Sequence, residues 1–387
     1  MIPRTLLLFP FFVACLLFSV KTGVGATTQP FIELSYPGFG LSREMAFPST
    51  AYRAADDTIL CAFAVKGSGS WDSIYLVSTR DAGVTWSQAV KVMSCPAPGY
   101  IADPSVLVSS TRVTVFATFV PKDPTGKFAS SEFLQSSSAD GIAGWSRSVR
   151  LAVGHRYVSG KVQTPIWLGP GTMLMGYSYD LPAERGKPAA RESDMCASAG
   201  VLRSVDDGLN WTAAGDVVVS QSAEGADEPA LVRLSGGRVF MIVRTSTQHP
   251  YETFSNDGGL SWEKPAASKF NGYNSPSALL RLNDGKILRV WDNSSAHRYP
   301  LAAAVSGDDA RTWSQPRTIL DRTGAAGGGF NFETACYPSM AQAAGGTVVL
   351  LFWETTKSGS RLGLARMSEN WAESLETTSP ASIRSGD

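Results

Sequence analysis

The sequence predicts an all-β fold: one six-bladed β-propeller with four-stranded antiparallel blades. Two repeats carry this. A hairpin opening on a proline occurs six times, and a short motif ending in tryptophan follows most of the copies. No segment of helical period competes with them. The 387 residues, 43% hydrophobic and 10% aromatic, are ample for one large core.

The hairpins start at Pro48, Pro104, Pro165, Pro229, Pro276 and Pro338. The fourth, "PALVRLSGGRVFMIVR", shows the pattern: a proline, a strand, a tight turn and a second apolar strand. Proline suits the first residue of a strand, where no ladder donor is needed. Asp56-Asp57, Gly169-Pro170-Gly171, Gly236-Gly237, Asp284-Gly285 and Gly345-Gly346 supply the turn chemistry.

The second motif is Ser/Thr-x-Asp-x-Gly/Ala-x-polar-Trp. It reads "TRDAGVTW" to Trp86, "SVDDGLNW" to Trp211, "SNDGGLSW" to Trp262 and "SGDDARTW" to Trp313. "SADGIAGW" to Trp145 is a degraded copy, and "SENW" to Trp371 a remnant. Asp206, Asp257 and Asp308 recur about every 51 residues, a period in the range of propeller blades. A turn between the two outer strands of a blade would use the aspartate as an acceptor of backbone N–H bonds, with tryptophan packed beneath. Asp81, Asp206, Asp257 and Asp308 are therefore read as structural rather than catalytic or calcium-binding.

Residues 1–26 read as a secretory leader. An early cation precedes an apolar run from Leu6 to Val20, with small residues leading to cleavage after Ala26. The run is short for a membrane span. This leaves residues 27–387 as the propeller, secreted or extracytoplasmic, with no membrane span after cleavage and expected to be a monomer. Lys plus Arg equals Asp plus Glu at 34 each, so no net charge attracts nucleic acid. His155, His249 and His297 have no ligand spacing, and no metal site is expected. Cys61, Cys95, Cys196 and Cys336 could pair outside the cell, although Cys61 lies in an apolar strand that would simply bury it.

Inner strands of a propeller converge on its axis, so the residues before each proline face a shared pocket. Here they are Phe47, Asp103, Thr164, Glu228, Ser275 and Tyr337. They vary while the scaffold repeats. Spacing alone fits either a chemical site or a variable loop.

The aspartate motif, the Asp box, resembles that of the sialidase superfamily, the bacterial neuraminidase repeat (BNR) family, over nearly all of the mature chain. That resemblance implies a retaining exo-sialidase: a tyrosine nucleophile, a glutamate beside it, an aspartate acid/base, and three arginines on the substrate carboxylate. Glu228 and Arg244 match the glutamate before a hairpin proline and the arginine at that hairpin's end. In "HRYPLAAAVSGDDARTW", Arg298 matches the next arginine. In "CYPSMAQAAGGTVVLLFWE", Tyr337 matches the nucleophile and Glu354 the closing glutamate. Asp72 matches the acid/base. A tyrosine nucleophile suits an anomeric centre that already bears a carboxylate, and it is a known exception to the two-carboxylate rule. The implied substrate is a glycan ending in an acidic sugar, with no cofactor.

One position departs. The family's first arginine stands two residues before the first hairpin's proline, and here "MAFPS" places Ala46 there. In the family Glu354's counterpart pairs with that arginine. A buried carboxylate needs a partner, and Arg43 or Lys66, with Arg53 also nearby in sequence, is expected to supply it. Two arginines would grip a carboxylate less exclusively, which admits another nonulosonic acid or a uronic acid. A non-catalytic glycan-binding propeller and a polysaccharide lyase are the alternatives.

Overall fold

In the computed structural model the described residues are 31–122, 131–153, 157–159, 163–180, 197–321, 334–368, 370–371 and 374. The leader, His155 and Cys196 lie outside them. Six antiparallel sheets form the blades of a β-propeller. Each hairpin supplies a blade's two inner strands: Met45–Arg53 with Thr58–Lys66 in blade 1, Asp227–Arg233 with Val239–Arg244 in blade 4, and Thr334–Gln342 with Val348–Thr356 in blade 6. Blade 3 differs: Tyr157–Ser159 and Ile166–Gly169 both pair with Thr172–Asp180. Ile32–Ser35, near the N-terminus, pairs with Gly359–Met367 as the outermost strand of blade 6. The two ends of the chain therefore share one blade, which fastens the ring. Among the described residues no helix is long and apolar enough to cross a membrane.

Each blade is covered on both faces, so its middle strands are largely buried and mostly apolar. Val113–Pro121 is buried at every position but the last. Among the described residues the core divides into six large clusters, one between each pair of neighbouring blades, and a small seventh around Cys336 and Tyr337. Every motif tryptophan packs on the cluster shared with the preceding blade: Trp211 edges onto Phe116, and Trp313 lies 6.2 Å from Phe240. The tryptophan thus tethers the turn of one blade to the body of the last.

The turns behave alike. Asp81 accepts from the Thr85 amide at 2.9 Å and the Thr85 hydroxyl at 2.6 Å, and Asp206, Asp257 and Asp308 repeat the pattern. The Asn210 amide and side chain hold the Asp206 carboxyl down to about 2.

One irregularity positions the site. Phe47, Asp103, Glu228 and Tyr337, each just before a proline, have φ of 54°, 49°, 41° and 55°. The strand register shifts at each of them. These are β-bulges, and the following proline has no N–H to lose from the ladder. A non-glycine residue at positive φ costs about 1–2 kcal/mol, so each of these bulges holds local strain. In blade 5 the residue at positive φ is Asn274 (39°), not Ser275.

Cys61, Cys95 and Cys336 are free thiols, and Cys61 is fully buried in its apolar strand.

Candidate active site

Tyr337, Glu228, Arg244 and Arg298 meet at the axis, brought from blades 6, 4 and 5. Tyr337 donates its hydroxyl hydrogen to Glu228 Oε1 at 2.7 Å. Glu228 Oε2 accepts from Arg244 Nη1 at 2.8 Å, and the same nitrogen donates to the Tyr337 hydroxyl at 3.3 Å. Arg298 lies over the Tyr337 ring, 5.6 Å from its centroid. All four are buried, none more than 9% exposed.

Asn274, on the loop before blade 5, binds both arginines. Its side-chain oxygen accepts from Arg244 Nε at 2.6 Å, and its carbonyl accepts from Arg298 Nη2 at 2.6 Å. Arg244 also faces Glu224 at 3.7 Å and Asp227 at 4.0 Å. Its Nε and Nη1 make close hydrogen bonds, while Nη2 has only the longer 3.7 Å ion pair to Glu224.

Burial raises the Tyr337 hydroxyl well above its ordinary pKa. The Glu228 charge adds to this, while Arg244 and Arg298 oppose it. The phenol therefore stays protonated at neutral pH, with Glu228 placed to accept its proton. Burial alone would lower Arg244, but Glu228, then Tyr337 and Asp227, outweigh it and keep the guanidinium charged. Near Arg298 lies a buried carboxyl, Asp292. Burial pushes it up to about 7, against the pull of the Ser275 hydroxyl and the Arg298 charge.

Asp72 and Glu354 lie outside this quartet's hydrogen bonds. The Asp72 carboxylate accepts from the Ser73 hydroxyl at 2.6 Å. A Cβ on Gly67 would stand 1.7 Å from Asp72 Oδ2, so the glycine makes room for the carboxylate. Glu354, 1% exposed, is held by Arg361 through Nε and Nη2, both at 2.5 Å. The Arg361 guanidinium stacks on Tyr36, 3.7 Å from the ring centroid. This corrects the expected partner. Lys66 instead binds Glu44 at 2.6 Å, Arg53 binds Asp56 at 2.8 Å, and Arg43 is exposed. The cause is register, because Glu354 and Arg361 face each other across the last hairpin.

The family model described as a BNR repeat-like domain matches residues 56–350. The chain belongs to the BNR repeat-like family. Its fold agrees with the solved structures it resembles. A protein of unknown function from Dyadobacter fermentans aligns with a TM-score of 0.67 and 18% identity, over 87% of this chain and 99% of that one. A mutant of the NanB sialidase of Streptococcus pneumoniae gives 0.67 and 13%, over 88% and 71%. The intramolecular trans-sialidase of Ruminococcus gnavus, in complex with oseltamivir carboxylate, gives 0.67 and 13%, over 87% and 96%. At these identities the likeness speaks for the fold. A search of curated proteins finds no match.

Several residues of this BNR-repeat site escape sequence reasoning. Asn274 stands one place before the expected Ser275, and only its backbone conformation marks it. Asp227 is visible as an acid beside Glu228, and the hairpin register sets it directly across from Arg244. Asp103 raises the Tyr337 pKa through its charge, from the bulge of blade 2. Phe47, Trp71 and Trp353 gather beside the Tyr337 ring from three separate strands.

Proposed function

We propose that this protein is a secreted retaining glycoside hydrolase of exo-sialidase type, removing a terminal acidic sugar from glycans. The observation that carries the reading is the 2.7 Å hydrogen bond from Tyr337 to Glu228 between two buried arginines. In this reading the Tyr337 oxygen attacks the anomeric carbon as its proton passes to Glu228. Arg244 Nη1, already donating to both groups, stabilises the charge shared between them. Arg244 Nη2 and Arg298 hold the sugar carboxylate. That carboxylate would repel a carboxylate nucleophile, which a neutral phenol avoids.

Asp72 protonates the leaving oxygen, and the C–O bond to the aglycone breaks. Asp72 then takes a proton from water as that water displaces Tyr337 from the anomeric carbon, and Glu228 returns its proton to the phenolate. Two displacements at one carbon retain its configuration. The likeness to sialidase structures supports the substrate class, and the leader-like N-terminus supports export.

Hydrolysis of a fluorogenic sialoside, with and without Tyr337→Phe, tests this. Turnover should fall by at least about a thousandfold in the variant. Ala46 favours a second reading, a non-catalytic glycan-binding propeller. Binding without turnover across sialosides and uronides supports that one.

A further inference from the structure

The strand Trp71–Thr79 carries one residue too many where it meets Thr58–Lys66. Val65 faces Ser73 and Lys66 faces Trp71, so Asp72 is the extra residue of a β-bulge. A bulge takes its side chain out of the regular alternation of the strand and re-aims it. Two contacts hold what the bulge begins. The Cys95 amide donates to the Asp72 carbonyl at 2.8 Å and fixes the backbone from the neighbouring segment. Gly67 starts a tight turn, its amide donating to the Ser70 carbonyl at 2.8 Å, and its missing side chain leaves the notch that Asp72 Oδ2 fills.

The two carboxylate oxygens are then unlike. Oδ1 accepts from the Ser73 hydroxyl at 2.6 Å, within the range of a charge-assisted bond. Ser73 is 1% exposed, so this bond is shielded from water. Oδ2 accepts no hydrogen bond among the described residues, and Asp72 is only half-buried. A protonated carboxyl carries its hydrogen on one oxygen and keeps the other as an acceptor. A hydroxyl that donates to Oδ1 favours the proton on Oδ2. After that proton has left, the same hydroxyl steadies the charge that remains.

We propose that Ser73 is a positioning residue for the acid step: it keeps Oδ1 as an acceptor, so that the proton given to the leaving oxygen sits on Oδ2. This rests on the hydrolase reading and on Asp72 as its acid. The Oδ2–H bond breaks as the C–O bond to the aglycone breaks. The electron pair of that C–O bond stays with the leaving oxygen, which takes the proton and departs as a hydroxyl group. Ser73 keeps its own proton throughout. In the second displacement Oδ2 takes a proton from the attacking water.

Help from the acid matters most where the leaving oxygen is most basic. A sugar alkoxide needs the proton, whereas a 4-methylumbelliferyl phenolate leaves readily without it. The test therefore compares kcat/KM for sialyllactose and for 4-methylumbelliferyl sialoside in the parent, Ser73→Ala, Ser73→Thr and Asp72→Asn. The ratio of the two values is independent of how much of each variant is folded. Ser73→Ala should lower the lactoside value by roughly tenfold and the aryl value by no more than about twofold. Ser73→Thr keeps the hydroxyl and should keep the parent's ratio. Asp72→Asn should lower the ratio further than Ser73→Ala. If the ratio in Ser73→Ala equals the parent's, the positioning role is overturned while the hydrolase reading stands. If Asp72→Asn leaves the ratio unchanged, Asp72 is not the acid and the proposal falls with it. A parent that turns over neither substrate overturns the hydrolase reading, and the proposal with it.

Discussion

Glu228→Gln separates the two tasks given to Glu228. The side chain keeps its size, but a single carbonyl oxygen now faces two donors, Tyr337 at 2.7 Å and Arg244 at 2.8 Å. One charge-assisted bond to Arg244 is lost, a cost of about 1.5–3 kcal/mol. Removing one partner of a buried pair usually costs about 3–5 kcal/mol because the other charge is stranded. Here Glu224 at 3.7 Å and Asp227 at 4.0 Å still face Arg244, so the lower range applies. At roughly 2 °C per kcal/mol for a chain of this size, melting should fall by only a few degrees.

Activity should respond far more. Loss of the proton acceptor is expected to cost about 10²–10⁴ in kcat. Its pH dependence should also change. The Glu228 charge helps to raise the Tyr337 pKa, so the phenol of the variant ionises at lower pH than in the parent. Without Glu228 to take the proton, the nucleophile is the phenolate already formed, and the residual rate should climb with pH towards the new Tyr337 pKa. The assay is kcat for a fluorogenic sialoside against pH, with melting measured in parallel. A folded variant with the parent's rate or pH profile refutes the role of Glu228 as the base.

Three further outcomes follow. Arg361→Met strips the cation from fully buried Glu354 and should cost about 2–4 kcal/mol by denaturant unfolding, and adding Glu354→Gln should recover much of it. Gly67→Ala places a methyl 1.7 Å from Asp72 Oδ2, a clash relieved by turning the carboxylate, so kcat should drop while melting stays within a degree or two. Burial raises Asp292 from 3.8 to about 7, so between those pH values the unfolded chain is ionised while the folded one keeps its proton. Its contribution therefore weakens as pH rises from about 4 to 7, by up to about 4 kcal/mol. Asp292→Asn should flatten that fall when unfolding free energy is followed against pH.

Much of this molecule is legible in its sequence because propeller blades repeat. Six proline-led hairpins specify six inner strand pairs, and the box tryptophans pack where a turn between outer strands requires. Glu228 and Arg244 stand out as charges at the ends of an apolar hairpin, and Tyr337 by its place before a proline. Other features depend on three-dimensional register. Arg361 becomes Glu354's partner only once the turn near Lys357-Ser358 sets the two strands opposite each other. Ile32–Ser35 has no repeat signature, so its pairing on blade 6 follows from ring closure. Asn274 replaces Ser275 at the mouth because backbone conformation, not distance from proline, decides which residue turns inward. Phe47, Trp71 and Trp353 are far apart in sequence, and nothing local links them.

The central claim is that Tyr337 bonds covalently to the sugar. Incubation with a 2,3-difluorinated sialic acid, followed by peptide mass spectrometry, tests it directly, because the fluorines slow the second displacement and let the intermediate accumulate. The account predicts one adduct, on Tyr337, absent from Tyr337→Phe. An adduct on another residue would contradict it, as would sialoside hydrolysis that releases the inverted anomer.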